Sequence, residues 1–114
     1  MKILFIITKG LEKSVSAIRA LQIASLTSDQ GNQVEVLLMD EAVHWAQGIR
    51  AAYGEGLSDY MDMLYTEGNP ILVCQSCAEK RLITEADLIE GTAFVTMPQL
   101  AEKIASPDYK ILTF

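Results

Sequence analysis

The apolar positions of the chain follow two rhythms. Apolar-rich stretches that read as strands occur at Lys2–Thr8, Gln33–Met39, Ile71–Cys74, Thr92–Val95 and Tyr109–Thr113, and Lys2–Thr8 is a continuous apolar run. Such stretches fit strands buried on both faces of a parallel sheet. Between them the apolar positions spread to helical spacing. From Ser14 to Gln30, Val15, Ile18 and Leu21 form one stripe, with Ala17, Ala20 and Ala24 beside it. Ser14 suits an N-cap, and Gly31 suits the left-handed residue that ends the helix. Ile23 and Leu26 fall off the stripe and hint at a second apolar neighbour. Leu57–Glu67 repeats the spacing with Leu57, Tyr60, Met61, Leu64 and Tyr65. A helix over about Gln75–Arg81 follows the third strand. Thr84 and Asp87 stand at capping-box spacing. The last helix has Pro98 in its first turn and Leu100, Ala101, Ile104 and Ala105 on its inner face. Glu41–Gln47 suits a helical turn, and Gly48, Gly54 and Gly56 punctuate a loop. The order predicts an α/β fold: an open, mostly parallel five-stranded sheet with helices on both faces.

Composition narrows what such a fold can do. The 114 residues, half of them hydrophobic and evenly spread, suit one domain over 1–114. No apolar run approaches the roughly 18 residues that a membrane span needs. A net charge of −6 opposes nucleic-acid binding, which calls for a basic face. Met1–Ile7 imitates a signal peptide, but Thr8-Lys9-Gly10 ends it without a small-residue cleavage site. The expectation is therefore a cytoplasmic protein whose two cysteines stay reduced.

Those cysteines, Cys74 and Cys77, are the candidate catalytic residues. Cys74 ends the third strand, and Cys77 follows about one helical turn later. In open α/β sheets, sites gather outside the carboxyl ends of the strands. Three loops qualify: Thr8–Lys13, Asp40–Gly56 and Cys74–Cys77. At a helix start the free N–H groups and the dipole favour a thiolate, which is the reason to place the nucleophile at Cys74. A Cys-x-x-Cys pair admits dithiol–disulfide exchange, metal binding or transfer of sulfane sulfur. A closed zinc site needs four ligands, and the chain offers two Cys and one His, so neither a metal nor any other cofactor is expected. His44 is a candidate base or charge partner.

The segment ILVCQSCAEKRLI, with the TEADLIEG that follows, resembles the DsrE/DsrF-like (TusD-related) family of sulfur-relay proteins. That family has an apolar strand ending in Cys, an Arg seven positions on, then Gly and an aliphatic residue. Cys74, Arg81 and Ile83 match; Leu82 stands in place of the Gly. Many members carry a second Cys at the position of Cys77. The resemblance covers the whole chain. It implies a three-layer α/β/α fold and assembly into a homo-oligomeric trimer or hexamer, or a hetero-oligomer with sister subunits. It also implies a sulfur carrier or sulfurtransferase that holds a persulfide on Cys74 between donor and acceptor proteins. Arg81, roughly 10 Å from Cys74 along a helix axis, suits an interface or an anion rather than the thiolate. The alternatives are a thiol–disulfide redox protein using Cys74 and Cys77, and a non-catalytic oligomeric scaffold.

Overall fold

The computed structural model of the chain describes residues 1–47 and 57–114. Its strands are β1 (Lys2–Ile7), β2 (Gln33–Leu38), β3 (Ile71–Cys74), β4 (Thr92–Val95) and β5 (Tyr109–Thr113). Its helices are α1 (Ser14–Asp29), α2 (Leu57–Thr66), α3 (Gln75–Glu79) and α4 (Met97–Ala105). The strands pair in the order β4-β3-β2-β1-β5, and every pairing is parallel. All carboxyl ends therefore lie along one edge, where a site is expected. The glycine-punctuated stretch at 48–56 lies outside the described residues. No helix among the described residues is long and apolar enough to cross a membrane.

The apolar-rich stretches are explained by a sheet covered on both faces. Along β1, Phe5 and Ile7 belong to one core, and Leu4 and Ile6 to the other. The larger core is shared with α1, α2, α3 and a 3-10 segment, Asp40–Ala46. The smaller core is shared with Leu100 of α4.

Several details differ from the sequence expectation. Helix α1 buries Ala17, Ala20, Leu21 and Ala24, while Val15 is 70% exposed. The small alanines let the helix approach closely, and that approach turns Val15 away. Ser14 lies inside the helix and caps nothing; Lys13 is the boundary residue. Ile23 and Leu26 are exposed, as is Tyr65 of α2, whereas Met61 and Leu64 are buried. Helix α4 buries Leu100 alone; Ala101, Ile104 and Ala105 face solvent, and Lys103 turns inward instead. Pro98 stands in its first turn, as expected, and Thr96 and Gln99 cap each other at its start. Gly31 has the expected positive φ, +92°. Helix α3 stops at Glu79, two residues early.

Candidate functional site

Cys74 is the last residue of β3 and the residue immediately before α3. Its neighbour across the sheet is Val95, at the end of β4. Burial on both flanks fixes the strand, and the chain turns into α3 at Cys74 with φ −60° and ψ 112°. The Cys74 Sγ lies 3.5 Å from the Ser76 Oγ. Cys77 sits one turn on, facing the larger core. Both cysteines are unbridged; Cys74 is 2% exposed and Cys77 7%. The structure thus puts the two predicted cysteines together, and it buries both. The five residues of α3 make a much weaker dipole than the longer helix expected from the sequence.

The floor of the site comes from the chain after β2. Asp40 opens the 3-10 segment with φ +49°, a left-handed conformation that side chains other than Asn and Asp rarely tolerate. This geometry sets its carboxylate beside α3, and the Cys77 thiol donates to the Asp40 Oδ1 across 4.0 Å. Burial pushes the Cys77 thiol above its ordinary range. The hydrogen bond with Cys74 adds to the rise, and so do the charges of Cys74 and Asp40; the Asp40 backbone N–H, which donates to the same sulfur, opposes it.

Three contacts lock the loops to one another. The Arg81 guanidinium pairs with the Glu41 Oε1 through two nitrogens, at 2.7 and 3.1 Å, and a third nitrogen donates to the Cys77 carbonyl at 3.0 Å. The Arg81 guanidinium holds the Glu41 carboxyl below the usual carboxylate range. Arg81 therefore clamps the Asp40 segment onto α3 and makes no hydrogen bond to either thiol. Trp45, fully buried, donates its Nε1–H to the Lys9 carbonyl at 2.8 Å. Gly10 closes the third contact, because a Cβ there would stand 2.8 Å from the Glu41 Cβ and 2.9 Å from the Glu41 carbonyl oxygen. The three loops named from the sequence do meet, as far as they are described.

His44 does not join the cysteines. Its Nε2 lies 3.6 Å from the Glu41 Oε2 and its Nδ1 3.1 Å from the Gln47 Oε1. It lines a separate cavity of about 620 Å³ with Lys9, Lys13 and Glu41. Asp40 and Ser76 are the site residues that sequence reasoning missed.

A model of the DsrE/DsrF-like family matches residues 1–114. The chain belongs to that family. It is 28% identical to Protein YchN of Escherichia coli over 106 residues, covering 92% of this chain and 89% of the relative. An uncharacterized protein of Methanocaldococcus jannaschii, MJ0989, is 30% identical over the full length of both chains. The crystal structure of the E. coli ychN protein superposes with a TM-score of 0.87 at 26% identity, covering 100% of this chain and 99% of that one. A Bacteroides thetaiotaomicron protein of unknown function, BT1422, shares the fold with a TM-score of 0.72 at 19% identity, covering 99% and 94% of the two chains. The fold is thus the α/β/α arrangement that the resemblance implies. At Leu82, where the sequence carries Leu in place of the family's Gly, the backbone keeps φ +58° and the side chain is 87% exposed. The turn retains a glycine-like shape, and the Ile83 N–H closes it onto the Ala78 carbonyl at 2.9 Å.

Proposed function

We propose that this chain is a sulfur carrier with Cys74 as its loading residue. Membership of a sulfur-relay family supports the class of chemistry. The observation that carries the residue is the position of Cys74 at the carboxyl end of β3, with a second thiol one turn on in α3. The Cys74 thiolate attacks the outer sulfur of a donor persulfide, R–S–SH. The donor's S–S bond breaks, Cys74–S–SH forms, and R–S⁻ leaves. An acceptor thiolate then attacks the outer sulfur and releases the Cys74 thiolate. Cys77 can divert this path by attacking the inner sulfur, which leaves a Cys74–Cys77 disulfide and releases HS⁻. Two thiol sulfurs are oxidised and one sulfane sulfur is reduced, so no outside oxidant is needed.

Incubation with a persulfide donor, followed by mass spectrometry, tests the assignment. Cys74→Ser is expected to abolish loading, and Cys77→Ser to retain it with a longer-lived adduct. Loss of loading in Cys77→Ser alone would put the nucleophile on the other cysteine. The near-complete burial of both thiols favours a second reading, a scaffold with inert cysteines. That reading predicts loading in neither the unaltered protein nor any variant. Oligomeric assembly belongs to the leading proposal, supported by the exposed Val15, Ile23 and Leu26 on α1. Light scattering should give a trimer or larger, and a monomer at micromolar concentration would remove that part.

A further inference from the structure

Two neighbouring thiols pose a problem for a carrier. If both can ionise, the second destroys the persulfide held by the first. The structure treats the two unequally. Four groups face Cys77 from the elements around it. Cys74 comes from the end of β3, and Asp40 from the 3-10 segment, with its Oδ1 4.0 Å from the sulfur. Arg81, from the turn after α3, spends its donors on the Cys77 carbonyl and on Glu41. Glu41, the fourth, is neutralised by that pairing. No cation among the described residues bonds to the Cys77 sulfur, and the nearest charge not already paired is the Asp40 carboxylate.

We propose that the Asp40 carboxylate holds Cys77 as a neutral thiol and thereby assigns the attacking role to Cys74. Asp40 acts through Cys77 and is a positioning residue. A carboxylate 4.0 Å from a sulfur opposes a second negative charge there and accepts the S–H hydrogen bond that only the neutral form can give. The left-handed backbone at φ +49° is what brings it there. The Arg81–Glu41 pair and the Gly10 contact hold the segment in place from its neighbouring residue. Burial of Cys77 acts in the same direction and more strongly, and the Asp40 backbone N–H acts against both. The inference rests on the sulfur-carrier reading for its purpose, but not for its chemistry.

The test is a pH titration of the Cys77 thiolate by ultraviolet absorbance, in a Cys74→Ser background where Cys77 is the only thiol. Asp40→Asn removes the charge and keeps a residue type that accepts positive φ. Asp40→Gly accepts the same backbone, removes the side chain and covers the event that the first variant misfolds. Both should lower the Cys77 midpoint by about one pH unit. With Cys74 restored, the same variants should shorten the lifetime of a loaded persulfide about tenfold at neutral pH, as the Cys77 thiolate fraction rises. A midpoint unmoved in both variants would overturn the inference. A lowered midpoint with an unchanged persulfide lifetime would overturn the assignment of roles. A lowered midpoint in a protein that never loads sulfur would uphold Asp40's hold on Cys77 and remove the carrier reading instead.

Discussion

The two faces of the sheet are held by different means. On the cysteine face, α1 brings Ala17, Ala20 and Ala24 against the strands, and Trp45 fills the space beside them. Its polar links lie at the rim, in the Arg81–Glu41 pair and the Trp45–Lys9 bond. On the opposite face α4 buries one leucine, and its second anchor is ionic. The buried Glu35 accepts from Lys103 at 2.8 Å and from the Tyr109 hydroxyl at 2.5 Å, and Lys103 also donates to that hydroxyl at 3.0 Å. A cavity of about 450 Å³ remains beside α4, lined by Leu72, Val95, Gln99, Lys103 and Tyr109. The face that holds the cysteines is thus closed mainly by packing, and the other in part by charge.

The sharpest way to break this contrast is Trp45→Ala. It empties the largest buried side chain of the cysteine face and should cost about 3–5 kcal/mol, read as a shift in the urea midpoint. An effect under about 1 kcal/mol would mean that the face is not closed by packing at Trp45.

A smaller and pH-dependent effect is expected on the α4 face. Burial raises the Glu35 carboxyl, but the Lys103 and Tyr109 hydrogen bonds and the charges of Lys103 and Lys2 outweigh it and hold the group below 4.5. A lowered folded value gives stability that is fully present above about pH 4.5 and is lost as pH falls through the folded value. Glu35→Gln should cost about 1–3 kcal/mol at pH 7 and remove part of the acid sensitivity. Equal denaturant midpoints for the two proteins at pH 7 would mean that charge does not hold this face.

The strands and their mostly parallel arrangement were legible because the central strands β1, β2 and β3 are largely buried on both faces, so most of their positions read as apolar; the order of the strands in the sheet was not legible. The cysteine pair was legible because its three-residue spacing at a strand end is a local signal. Helix faces were harder. In α1, Ile18 and Leu21 pack against the core as the spacing predicts, but close approach favours the three alanines over the larger Val15. In α4 a buried acid from β2 draws Lys103 inward, and Glu35 lies 68 residues away in the chain. Asp40 was illegible for the same reason, since its partner is 37 residues distant. Its left-handed backbone carries no sequence mark beyond an Asp, which is common in loops. Leu82 shows the converse, with a conformation that normally asks for glycine held by a residue that gives no hint of it.

The pairing of β1 with β5 bears on how the chain is made. Lys2 lies opposite Tyr109, and Ile6 opposite Thr113, while Phe114 stacks on Phe5 with ring centroids 5.8 Å apart. A ribosome releases β1 first and β5 more than a hundred residues later. Through that interval one edge of β1, bearing Leu4, Phe5 and Ile6, has no strand to meet, and such an edge invites pairing with another nascent copy. That edge of β1 is therefore open to such pairing for as long as β5 is unmade, and β5 closes it.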